Sequence, residues 1–155
     1  MADLEGNYKI VANNRKAFFN YFLLEFFEAG IVLFGSEVKS LRDGKGNISE
    51  SYIIDSKGEL FIQNSYIPEY RQSSYNNHDP RRLRKLLLSK RQINKIIGKI
   101  NQEGLTAVPT RIYFNHKGIA KVSIAIAKGK KQHDKRHVKK TRDWQREKAK
   151  IFKKN

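Results

Sequence analysis

The sequence predicts a mainly β fold with flanking helices: a small antiparallel barrel followed by a basic C-terminal tail. Three observations carry this. "ISESYIIDSKGELFIQNSYI" and "VPTRIYFNHKGIAKVSIAIA" each join two β-rich runs through a glycine-containing turn. A length of 155 residues fits one domain plus an appendage. The last 28 residues, from Lys128, carry 13 Lys/Arg against 3 acids, so +10 of the net charge of +17 lies there. The expected division is a folded body over residues 1–127 and a tail over 128–155.

The elements follow in chain order. "NYFLLEFFEAGIVLFG" is aromatic and β-branched, and reads as two strands near 19–28 and 31–35 with a break at Ala29-Gly30. A buried helix is the competing reading of so short an apolar run. "SEVKSLRDGKG" reads as a short helix capped by Ser36 and ended by a left-handed Gly44. The first hairpin turns at Ser-Lys-Gly, the second at Asn115–Gly118. In the last strand Val122, Ile124 and Ile126 share one face, and Lys121, Ser123 and Ala125 the other.

Between the hairpins, "HDPRRLRKLLLSKRQINKIIGKINQEG" reads as one long helix. Asp79 is its N-cap, Pro80 its first residue and Gly104 its stop. Leu83, Leu86, Leu87, Ile93, Ile96, Ile97 and Ile100 recur at spacings of three and four. The opposite side carries Arg81, Arg82, Arg84, Lys85, Lys90, Arg91, Lys95 and Lys99, with no acid among them. Unrelieved like charge of this density calls for an anion, so this face is read as phosphate-contacting. Antiparallel hairpins of this number suggest a closed barrel of the oligonucleotide-binding type.

The net charge predicts a polyanionic partner. No run of about 18 apolar residues spans a bilayer, and the N-terminus "MADLEGNYKI" is no secretory signal. The absence of cysteine excludes disulfides and thiolate zinc sites and suits a cytoplasmic setting. No metal, cofactor or catalytic constellation is expected. His133-Asp134 are adjacent residues that would not face one another, and His78 and His116 are read as surface histidines. Glu25, Glu28 and Glu37 lack a spacing that makes their oxygens converge on a metal. A binding protein is therefore expected rather than a nuclease. Tyr66, Tyr70 and Tyr75 would either stack on unpaired bases or pack on one another.

The tail repels itself, and only Trp144, Ile151 and Phe152 give it an apolar edge. It should be disordered when free and helical against phosphates, where released counterions drive binding. As a helix, residues 138–154 would extend roughly 25 Å.

"FEAGIVLFGSEVKSLRDGKGNISESY", "RLRKLLLSKRQI", "EGLTAVP" and "AKGKKQHDKR" occur in the order and spacing of the small protein B family, which binds transfer-messenger RNA. The resemblance runs from about Asn13 to the C-terminus. It implies an oligonucleotide-binding barrel and an adaptor role in trans-translation, the rescue of stalled ribosomes. The body would replace a missing anticodon arm on the tRNA-like domain. The tail would enter the decoding centre and the empty message channel. The implied partners are transfer-messenger RNA, the ribosome and, through the RNA, elongation factor Tu with GTP; a monomer is expected. Carried over residue by residue, the RNA-contacting positions fall at Asn14, Arg15, Lys16, Glu28, Leu87 and Ser89. The tail determinants fall at Gly129, Lys130, Lys131, Asp134, Lys135, Arg136, Ile151 and Phe152, beside Trp144. The chain departs from the pattern at Ser89, where Asn or His is frequent, at Tyr66, where His is common, and at Phe152, where Met occurs. The rival reading is a ribosomal protein or assembly factor that binds ribosomal RNA.

Overall fold

Asn14 ends the first strand and starts the first helix. Its Oδ1 accepts from the Ala17 N–H at 3.1 Å, and its Nδ2 donates to the Pro109 carbonyl at 2.8 Å. The computed structural model describes residues 8–72, 77–102, 104–130 and Arg146. In chain order the elements are β1 (Lys9–Asn13), α1 (Arg15–Asn20), β2 (Tyr21–Ile31) and α2 (Gly35–Arg42). There follow β3 (Tyr52–Ser56), β4 (Glu59–Gln63), β5 (Arg84–Leu87), α3 (Lys90–Ile100), β6 (Leu105–Phe114) and β7 (Ala120–Gly129).

All seven strands belong to one antiparallel sheet of order β1-β6-β7-β2-β5-β4-β3. The sheet curls so that β3 lies against β6, but no ladder joins its two edges, so the expected closed barrel is not closed. The fold class is as expected: mainly β, with helices at the flanks. The core is mainly aliphatic, with Phe27 and Phe114 among it; Leu41, Ile48, Leu60, Ile62, Ile67, Ile96, Ile112 and Ile124 are buried almost completely.

Both hairpins form as expected. The first turns on Lys57 (φ 52°) and Gly58 (φ 78°). Two successive left-handed residues give the turn whose twist matches the strands it joins. In the second, Asn115 Oδ1 accepts from the Lys117 and Ile119 N–H groups, and Gly118 takes a φ of 74°.

The stretch at 19–35 differs. Asn14 draws Phe19 and Asn20 into α1, and β2 then runs unbroken through Gly30. Gly30 is a place of close approach, paired with Leu87 on one side and Lys121 on the other. A Cβ there would sit 3.2 Å from that of Leu87. The expected second strand is instead the lead into α2, whose N-cap position is Phe34 rather than Ser36. Ser36 turns inward to His78 Nδ1 at 2.9 Å, and His78 Nε2 meets the Ile67 carbonyl at 2.8 Å. His78 is thus buried, not a surface histidine; its Nε2 donates to the carbonyl, leaving Nδ1 to accept from Ser36.

The long helix is the largest correction. Only its second half forms, as α3, capped by Ser89 rather than Asp79. Asp79 Oδ1 accepts from the Arg81 N–H in a turn, and residues 84–87 are a strand between β2 and β4. The cause is Arg84. Its guanidinium is 0% exposed and donates to Glu37, to Ser65 Oγ (2.8 Å) and to the Ser65 and Pro80 carbonyls. Arg82 donates to the other Glu37 oxygen at 2.5 Å. A buried arginine needs partners on every side, and the extended strand delivers it to them.

Burial opposes the charge on Glu37, but hydrogen bonds from Arg82 and the Phe34 N–H, and the Arg84 charge, hold its carboxyl below the ordinary 4.5. Glu37 therefore adds stability above that value and loses it as pH falls. Thermal unfolding should show Arg84→Ala destabilised by about 3–5 kcal/mol, because Glu37 is left buried with less charge compensation. Stability of the parent should drop below about pH 4.5, and Glu37→Gln should flatten that acid limb.

Candidate nucleic-acid interface

The outer face of β2, β7 and β6 holds a hollow. Ser123 on β7 is paired with Glu28 on β2 and with Arg111 on β6, giving an acid–serine–arginine row across three strands. The short serine side chain leaves space between two long ones. The resulting cavity, about 450 Å³, is lined by these three with Phe18, Phe26 and Tyr113. Arg111 lies with its guanidinium carbon 5.7 Å from the Phe18 ring centre, and a smaller hollow beyond it reaches Asn13 and Arg15.

Glu28 is exposed but oriented. Its Oε2 accepts from the Tyr113 hydroxyl at 2.7 Å. Tyr113 is buried and meets the Tyr8 ring edge-on, centres 5.5 Å apart. Burial, then the hydrogen bond to Glu28, push its hydroxyl well above the usual 10. Tyr113 thus stays a proton donor to one oxygen of an exposed carboxylate.

The residues expected to contact RNA fall into three groups. Glu28 and Leu87 share the outer face, since Leu87 pairs with Gly30, two residues on from Glu28. Leu87 is 52% exposed, and Ser89 follows it at the start of α3. With Arg15 and Arg111 they form one band. Lys16 and Arg81 lie on another side, bound to Glu50 (2.6 Å) and Asn64 (2.8 Å). Arg81 also covers Tyr66 at 5.2 Å. The third group is internal. Asn14 is 2% exposed and caps α1, and Arg84 faces the core, so neither side chain presents itself to a ligand. Arg82 is bound to Glu37 and lies 4.2 Å over Phe34; Lys85 pairs with Glu59 at 3.1 Å. The expected eight-residue basic helix face is therefore divided between a turn, a strand and α3.

Arg111, Tyr113 and Phe18 were missed. The alternation of Arg111 with Tyr113 was visible, but only the register sets Arg111 in the row of Glu28 and brings the Tyr113 hydroxyl to its carboxylate. The Ser89 hydroxyl accepts from the Gln92 N–H at 3.3 Å, so its first task is capping. Glu25, Glu28 and Glu37 go to separate partners: Lys95, Tyr113 and the two arginines respectively. Gly129 ends β7 and the Lys130 N–H reaches the Asn20 carbonyl at 3.0 Å, three residues beyond the expected boundary at Ala127. Lys131, Asp134, Lys135, Arg136, Trp144, Ile151, Phe152 and Tyr75 lie outside the described residues.

The model of the SmpB protein family matches residues 11–154. The chain belongs to the SmpB family. It is 57% identical over 145 residues to the SsrA-binding protein of Rhizobium johnstonii, covering 94% of this chain and 96% of that one. It is 58% identical over 145 residues to that of Allorhizobium ampelinum, covering 94% and 92%. A solved structure described as "tmRNA-SmpB: a journey to the center of the bacterial ribosome" superposes with a TM-score of 0.67. The two are 51% identical, over 77% of this chain and 84% of that chain. This SmpB family relation agrees with an oligonucleotide-binding-like fold.

Asn14 should prove a folding residue. Asn14→Ala strands the Ala17 N–H and the Pro109 carbonyl, and urea unfolding should show a loss of about 1–3 kcal/mol. An unchanged midpoint would mean that water replaces the amide at no cost.

Proposed function

We propose that this chain is the RNA-binding adaptor of trans-translation: it binds the tRNA-like domain of transfer-messenger RNA and carries it to stalled ribosomes. The observation that supports this most strongly is near full-length similarity to proteins named for SsrA binding. The outer-face band gives it a physical form. Arg15 offers charge to the backbone, Leu87 apolar contact, and Glu28 an acceptor held in place by Tyr113.

In this proposal the protein acts without catalysis, in the cytoplasm, as a monomer. Elongation factor Tu with GTP joins it through the RNA. The body stands in for an anticodon arm. The tail, at net +10 from Lys128, enters the decoding centre and the vacant message channel and folds there as a helix. Message and tail then compete for one space, so exclusion alone reports a missing message. Asn14 serves by fixing the backbone that presents Arg15 and Lys16.

A chain ending after Lys130 keeps β7 whole and should bind the tRNA-like domain within about tenfold of the full chain, or 1.4 kcal/mol. In filter binding, Glu28→Ala should weaken it by about 1–3 kcal/mol although it makes a +17 protein more positive. Unimpaired binding by that variant would remove Glu28 from the contact. Separately, replacing Asp134, Lys135 and Arg136 with Ala should leave RNA binding intact and abolish tagging of stalled peptides in a reconstituted translation assay. Normal tagging would refute the role given to the tail.

A further inference from the structure

The hollow on the outer face has a chemically mixed lining. Its row is carboxylate, serine, guanidinium, spanning two strand spacings, roughly 10 Å between the outer strands. Phe18 and Phe26 supply aromatic surface, and Tyr113 fixes the carboxylate from the side. Arg111 adds a second observation: its Nε is buried and finds no acceptor among the described residues. A buried donor without a partner is costly and points to an acceptor that comes from outside.

We propose that this hollow is a guanine pocket, taking one unstacked guanine base of the bound RNA; the proposal rests on the function given above. Guanine offers N1–H and N2–H donors along one edge and the O6 and N7 acceptors along another. Glu28 accepts from the first edge and Arg111 donates to the second, over the serine floor and beside the Phe18 ring. Adenine turns a lone pair at N1 toward the carboxylate. Cytosine carries one amino donor, and a single ring spans the gap less well than a purine. A cavity of about 450 Å³ has room for one purine base.

The test uses ¹⁵N-labelled full-length protein titrated with GMP, AMP, CMP and UMP. All four share a phosphate, so attraction to the cationic chain is common to them. GMP should bind about tenfold or more tighter than the other three and should shift the amides of Glu28, Arg111 and Ser123. Glu28→Gln and Arg111→Ser should each abolish the preference while their melting curves remain those of the parent. Equal affinities for the four nucleotides, or shifts centred elsewhere, overturn the pocket. The same samples are assayed for the tRNA-like domain. RNA binding without a GMP preference refutes the pocket and leaves the adaptor function standing. A GMP preference without RNA binding supports the pocket and refutes that function.

Discussion

The structure depends on a carboxylate shared by two arginines. Glu37 on α2 binds Arg82 and Arg84, and Arg84 opens β5. That strand has four residues, yet it joins the two halves of the sheet, pairing with β2 on one side and β4 on the other. Without it, β1, β6, β7 and β2 would form one sheet and β4 with β3 a loose hairpin. A hairpin alone is marginal in water. Buried ion pairs are poor sources of stability against an apolar alternative, but they penalise wrong arrangements heavily. Here the penalty selects an extended conformation for a segment whose spacing also suits a helix.

This explains what the sequence displayed and what it hid. The hairpins were legible because their turns use residues with few alternatives, Lys57-Gly58 and Asn115–Gly118. The second half of the long helix was legible because Ile93, Ile96, Ile97 and Ile100 keep helical spacing up to a genuine end. The first half misled because Leu83, Leu86 and Leu87 satisfy that spacing by coincidence. Periodicity also scores arginine as exposed, and the information that buries Arg84 lies 47 residues away at Glu37. Asn14 has the same moral at smaller scale. The family pattern marks it as important, and the structure supplies a reason in its two backbone partners.

The candidate site was half legible. Glu28 stood out as an acid among aromatics, and the family pattern singled it out. Arg111 and Tyr113 were invisible beside it because they come from β6, more than eighty residues away, through a shared partner on β7. Register, not composition, makes Glu28, Ser123 and Arg111 a row. The charge gradient along the chain was fully legible, being a property of composition alone.

β7 runs to the end of the continuously described residues. β7 is paired along most of its length to β6 and along its length to β2, and the Lys130 N–H adds a bond to Asn20. Any pull on the tail therefore enters the molecule along an interior strand. Such a force loads two ladders in shear, so many hydrogen bonds must yield together; an edge strand would peel away one bond at a time. Tension applied beyond Lys130 would thus meet the paired length of β7 at once and not a single bond at its end.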